Sequence, residues 1–194
     1  LVENFTNQSD PNYGDNNVAY KAIPIGEVVK IQYHVGAPGA DPNYEFNTAD
    51  PSARAAYYGI PLNQNTIPRG YIDGKSDGNF MSPLWVQTQR DQRSLKVAPY
   101  NITISSLEPQ DSTYLRVSVS VEALQDIPQP QDPILHIAVV QETEGANEYV
   151  LRKLLPSASG TRMPKGMAED EIFSLTESVR IQGLPAAAYD DLVV

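Results

Sequence analysis

Cysteine is missing from all 194 residues, so disulfides, thiolate metal sites and cysteine nucleophiles are excluded by composition alone. Histidine is nearly missing as well: His34 and His136 are the only two, which limits a histidine-centred metal site to two such ligands. Positive charge is scarce. Lysine and arginine number 14 against 24 aspartates and glutamates, a formal charge of −10 at pH 7, and such a surface repels nucleic-acid phosphates and anionic lipid headgroups alike. No apolar run approaches the ~20 residues that cross a bilayer as a helix. Nor is there a basic segment followed by an apolar stretch of the kind that starts a secretory signal. The chain opens without Met, inside the strand-like segment Leu1-Val2-Glu3-Asn4-Phe5-Thr6-Asn7. We read it as the mature part of a longer precursor whose processed leader lies upstream, with membrane contact only through an anchor outside these residues or through a partner.

What the chain does contain is proline, 16 in all, among much Asn, Gln, Ser and Thr, which points to a loop-rich β or α+β surface outside the cytoplasm. The first half reads as α/β. Leu1–Thr6 and Val28–Val35 have strand composition. Asp50–Gly59 has an N-cap in Asp50, a proline at the first helical position, helix formers and a terminal glycine, and predicts a short helix. Thr66–Gly74 predicts a strand entered through Pro68 and left through Asp73-Gly74. Pro83–Leu95 reads as a linking helix. After Val97 the pattern turns to β: Tyr100–Ser105, Thr113–Val121, Ile134–Val140 and Glu171–Ile181 all predict strands. In Thr113–Val121, Leu115, Val117, Val119 and Val121 alternate with Arg116, Ser118 and Ser120, the signature of one buried and one solvated face. The expected organisation is residues 1–82 as one domain, 83–96 as a linking helix, and 97–194 as an antiparallel β-sandwich-like module.

Several stretches taken in order carry a resemblance: Val2–Asn7, Tyr33-His34, Asp50–Ile60, Ile67–Gly74, then Tyr149–Pro156 followed by Gly160-Thr161. They resemble the outer membrane protein 28 related family, envelope proteins of Bacteroidetes-type bacteria with a thioredoxin-like domain and a later β module. In redox-active relatives the Phe-Thr strand runs into Cys-x-x-Cys at a helix start, where the first thiol becomes a nucleophile. Here Asp10-Pro11-Asn12-Tyr13 stands at that place, so Asp10 and Tyr13 occupy the cysteine spacing and disulfide exchange is chemically absent. Pro68 matches the proline that thioredoxin folds hold cis beside the active site. The resemblance implies a fold retained and a chemistry lost, with no cofactor, no metal and no catalytic residue.

Other candidate sites follow from residue type. His34 at a strand end, with Tyr13 and Tyr71, could form a tyrosine-rich polar pocket at the former redox position, since tyrosine pairs flat apolar area with a polar tip; a structural role for His34 is the plainer reading. Ser112, in Asp111-Ser112-Thr113, resembles the short O-glycosylation motif of exported Bacteroidetes proteins. No Gly-x-Ser-x-Gly elbow occurs, so serine hydrolysis lacks its sequence support. The expected function is a non-catalytic, cell-envelope, outer-membrane or extracellular structural subunit. Its expected partners are other envelope or surface proteins, with self-assembly through an open strand edge beside Leu192-Val193-Val194 as one route; the alternative is a glycan- or peptide-binding module using Tyr13, His34 and Tyr71.

Overall fold

A computed structural model describes residues 1–62, 66–76, 83–109, 114–128, 132–181, 183–184 and 188–194. The chain is mixed α/β with several sheets, few helices and a β-rich remainder. It divides into two compact units, 1–95 with 140–152, and 96–139 with 153–194.

The first unit is built on β1 (Val2–Thr6), α1 (Tyr13–Lys21), β2 (Lys30–His34), α2 (Pro42–Phe46), α3 (Ala49–Tyr57), β3 (Arg69–Ile72), β4 (Lys75–Ser76) and α4 (Pro83–Ser94). To these the chain later adds β8 (Ile137–Glu144) and β9 (Asn147–Leu155), and the sheet order is β8-β9-β2-β1-β3-β4. β1 is central. It pairs parallel with β2, Asn4 opposite Gln32 and Thr6 opposite His34, and antiparallel with β3, Glu3 opposite Tyr71. β9 joins parallel to β2 at Gln32–Val150. The β3–β4 hairpin turns on Asp73 and Gly74, both at positive φ (41° and 80°), as a two-residue primed turn demands. α3 stops at Gly59, whose φ of +62° lets Ile60 N–H return to the Ala55 carbonyl at 3.0 Å.

Both faces of β1 are covered. Val2 packs with Tyr20 and Ile23 after α1, with Ile72, and with Val86 of α4. On the opposite face Phe5 stacks on Tyr33 at 4.8 Å and meets Tyr58 and Tyr71 edge-on, both at 5.8 Å. All five residues of β1 and all five of β2 are buried, which is how parallel strands under helices on both faces are normally found.

The second unit holds β5 (Tyr100–Pro109), β6 (Tyr114–Ala123), β7 (Ile134–Leu135), β10 (Thr161–Arg162), β11 (Ile172–Arg180) and β12 (Leu192–Val193). They form a three-stranded antiparallel sheet β11-β6-β5, a two-stranded β10-β7 pair, and β12 beside β8. β6 buries Leu115, Val117, Val119, Val121 and Ala123 while Tyr114 and Arg116 stay exposed, matching the alternation in its sequence.

Two boundaries differ from the sequence reading. Pro83–Ser94 belongs to the first unit, because Val86 fills the core beside Val2, Tyr20 and Ile72. Residues 140–152, inside the expected 97–194 module, also belong to the first unit, because β9 completes the sheet beside β2. Ser112 lies outside the described residues.

Candidate functional site

The strand-and-helix face that carries α1 is polar where a core is usually apolar. Residues that alternate along a strand share a face, so Asn4 and Thr6 of β1 and Lys30, Gln32 and His34 of β2 all lie on the side of Val2, facing α1. Every one of them is buried. Burying such groups costs free energy unless each finds a partner, and most do. Asn4 Nδ2 donates to Asn16 Oδ1 of α1 at 2.9 Å, and Gln32 Nε2 donates to Asn17 Oδ1 at 3.2 Å. Asn17 Nδ2 donates in turn to the Ala146 carbonyl at 2.9 Å. Lys30 Nζ donates to the carbonyls of Tyr20 and Ile23 and to Glu148 at 3.2–3.3 Å. Burial pushes the Lys30 ammonium below its usual range, opposed by the hydrogen bond and charge of Glu148.

His34 closes the upper end of the layer. Its Nδ1 lies 2.7 Å from Asp41 Oδ2 and its Nε2 lies 3.3 Å from Gln32 Oε1. Asp41 is fully buried and ties three segments together. Its Oδ1 accepts from the N–H groups of Asn43 and Tyr44, capping α2, and its Oδ2 accepts from Gln8 N–H at 2.8 Å in the loop that leaves β1. Burial alone would raise this carboxyl. The His34 hydrogen bond and charge, with the Gln8 and Tyr44 amides, outweigh it and hold Asp41 below the ordinary carboxylate range.

Tyr13 opens α1 and is half-buried, its ring centroid 6.5 Å from that of His34. Its hydroxyl donates to Asn147 Oδ1. Burial raises the Tyr13 pKa, and the charge of Asp41 adds to the rise. Asn147 and Asn43 both donate to Glu144 Oε2, at 3.4 and 3.1 Å. Arg152 donates to Asn43 Oδ1 at 2.8 Å and to Gln141 Oε1 at 2.6 and 2.9 Å, with Phe46 beneath it at 5.0 Å. The β8–β9 hairpin is thus bound to the α1 and α2 ends through side chains as well as backbone.

Asp10 lies at the turn before α1, where Tyr13 N–H returns to the Asp10 carbonyl at 3.0 Å. Its Oδ1 accepts from Asn12 N–H at 2.8 Å. Asp10 Oδ2, Thr6 Oγ1, Asn4 Oδ1 and Asn16 Nδ2 are buried with no hydrogen-bond partner among the described residues. Pro68 is buried and follows a cis peptide bond from Ile67.

Tyr13 and His34 therefore come together, but Tyr71 does not join them. It pairs with Glu3, on the other face of the sheet, and stacks on Tyr58 at 4.0 Å. His34 is 2% and Tyr71 6% exposed, so neither presents a surface. Among the described residues, no cluster of three or more His, Cys, Asp or Glu could hold a metal ion. A cleft of about 260 Å³ lies elsewhere in this unit, lined by Ala22, Ile23, Pro24, Val28, Val86, Gln87 and Arg90.

No family model, curated protein or solved structure matches the chain. The site rests on its own geometry. Sequence reasoning found Asp10, Tyr13 and His34 but missed Gln32, Asp41, Asn43, Glu144, Asn147 and Arg152. The signal was in β2, where Lys30-Ile31-Gln32-Tyr33-His34 alternates. Such a strand is usually read with its polar side toward solvent; once β2 is flanked by strands and covered by helices, the same alternation means a buried polar layer.

Proposed function

We propose that the first unit is a thioredoxin-like domain without redox chemistry and that the β-rich unit is a sandwich-like module. Together they serve as a non-catalytic structural or interaction subunit of a bacterial cell envelope, facing the outer membrane or the exterior. The fold part of this reading is supported by the succession β-α-β-α-α-β-β-α, with strand order β4-β3-β1-β2 and Pro68 before β3. The functional part is carried by one observation: at the junction of β1 and α1, where such folds keep their thiols, Asp10 closes the turn into α1 and Tyr13 donates its hydroxyl to Asn147, beside a buried polar layer. A layer in which His34 and Asp41 are closed to solvent holds loops in place and offers no nucleophile to a substrate. The resemblance to the outer membrane protein 28 related family supplies the envelope location and the expectation of protein partners.

Fractionation of the native cells tests this. The chain is expected in the envelope fraction, migrating in an assembly larger than itself; recovery as a lone chain in the cytosol would sink the proposal. The alternative, a glycan- or peptide-binding pocket at the former redox position, keeps only the half-exposed Tyr13 as its contact, because His34 and Tyr71 are buried on opposite faces of the sheet.

A further inference from the structure

Four buried polar atoms at one corner of the first unit find no hydrogen-bond partner among the described residues: Asn4 Oδ1 and Thr6 Oγ1 of β1, Asp10 Oδ2 in the turn before α1, and Asn16 Nδ2 in α1. The four residues are 0–4% exposed. The fold brings them together. Asn4 and Thr6 share the face of β1 that looks toward α1, and α1 runs back along that face: Val2 packs with Tyr20 and Ile23, while Asn4, two residues on, meets Asn16 at 2.9 Å. The next step along β1, from Asn4 to Thr6, therefore arrives at the start of the helix, where Asp10 sits. Tyr13 marks the same level, its ring 6.5 Å from that of His34, the register partner of Thr6.

The unmet groups are complementary in kind. Asn4 uses Nδ2 on Asn16 Oδ1, which leaves one acceptor on Asn4 and one donor on Asn16. Turning both amides over reverses that bond and again leaves one donor and one acceptor. Asp10 Oδ1 accepts from Asn12 N–H at 2.8 Å, which leaves Oδ2 as a second acceptor. The Thr6 hydroxyl serves in either role. A metal ion does not fit this set, which holds a single carboxylate and an amide N–H that repels a cation. Buried polar groups without a hydrogen bond carry a desolvation penalty, and in native proteins nearly all are met by protein or by ordered water.

We propose that this corner is a binding site for one long-lived internal water molecule, which donates to Asp10 Oδ2 and Asn4 Oδ1 and accepts from Asn16 Nδ2 and the Thr6 hydroxyl. Its two hydrogens and two lone pairs match two acceptors, one amide donor and one hydroxyl used as a donor. Buried waters hold two to four such bonds, so the set is a full one. The water joins β1, the turn that carries Asp10, and α1, and so fixes the entry to the helix from inside. The inference needs only the geometry of the first unit, and it stands or falls apart from the envelope reading.

Water-selective NMR on the full wild-type chain tests this first: the Asn16 side-chain amide protons should show a cross-peak to water with the sign of a contact that outlasts molecular tumbling. A crystal structure should show one water at hydrogen-bond distance, about 2.7–3.2 Å, from all four atoms. N4L/N16A keeps roughly the volume of the two amides plus one water, removes two of the four partners, and lets the Thr6 hydroxyl donate straight to Asp10. Deuteron relaxation dispersion should count one long-lived water fewer in N4L/N16A than in wild type, at an unchanged far-UV circular dichroism spectrum. An Asn16 amide with no long-lived water contact, a crystal structure in which Asn16 or Thr6 donates directly to Asp10 Oδ2, a bound atom at the ~2.0–2.6 Å distances of a metal ion, or an unchanged water count in N4L/N16A would each overturn the proposal. If N4L/N16A fails to fold, the wild-type NMR and crystal measurements decide.

Discussion

Glu3 sits in the middle of β1 with its side chain 1% exposed, and Arg54 of α3 reaches it from the helix with Nε 2.7 Å and Nη2 3.2 Å from the two carboxylate oxygens. Tyr58 donates its hydroxyl to the same carboxylate. Burial would lower the Arg54 pKa, but the Glu3 hydrogen bonds and charge outweigh it and raise it; burial and Glu3 both raise that of Tyr58. The perturbation of interest is Arg54→Met, which keeps the apolar stem and removes the charge. Glu3 is then a buried carboxylate left with the tyrosine hydroxyls of Tyr58 and Tyr33 and no cation. Stranding one member of a buried ion pair costs about 3–5 kcal/mol, roughly 6–20 °C in Tm for a chain of this size. Glu3→Gln should cost less, roughly 1–3 kcal/mol, because Arg54 keeps contact with solvent at 14% exposure. Combining Arg54→Met with Glu3→Leu should recover most of the loss, since two apolar groups of similar volume often replace a buried pair at little cost. Glu3→Leu alone closes the cycle, and chemical denaturation of the wild type, Arg54→Met, Glu3→Leu and their double variant gives the coupling directly. A loss below about 1 kcal/mol for Arg54→Met, or a double variant as unstable as the sum of the singles, would refute the reasoning.

Acid behaviour follows from Asp41. A carboxyl held below its unfolded value of about 3.9 contributes stability that is fully present above that pH and is lost as pH falls through the folded pKa. Asp41→Asn should therefore be less stable than wild type near neutrality, with the gap closing below about pH 4; urea titrations at neutral and acid pH that show a constant gap would contradict the assignment. Gly160 has φ +67°, and a Cβ there would stand 2.6 Å from the Leu135 carbonyl oxygen beside the β7–β10 pair. Gly160→Ala is expected to cost roughly 2–4 kcal/mol, read by thermal unfolding; a neutral result would mean that the Ile134–Leu135 backbone yields.

The elements that follow from local chemistry were legible: the alternation over Tyr114–Val121, the Asp73-Gly74 turn, and the helix ended by Gly59 all appear where their residues call for them. Asp50 does not cap this helix: α3 begins at Ala49 with Thr48 at the N-cap position, which puts Asp50 and Pro51 inside the first turn. What local chemistry does not contain is the return of residues 140–152 to the first sheet, because strand pairing across more than a hundred residues leaves no periodic trace. The same missing information hid the site. His34 and Tyr13 stood out by residue type, but Asp41, Asn43 and Asn147 read as ordinary turn residues until β9 was set beside β2. Tyr71 was grouped with them by composition, and the antiparallel pairing of β3 turned it to the opposite face.

The claim that the first unit keeps a redox frame without its chemistry is tested most directly by insulin reduction with the wild-type chain beside D10C/Y13C. The 3.0 Å bond from Tyr13 N–H to the Asp10 carbonyl marks a turn whose first and fourth Cα atoms lie within ~7 Å, the reach of a disulfide. The wild type should match a protein-free blank, while D10C/Y13C should lose both free thiols on oxidation, as a monomer, and reduce insulin above that blank. Reduction by wild type in a sample free of contaminating oxidoreductases, or D10C/Y13C thiols that stay free under oxidant, would contradict it.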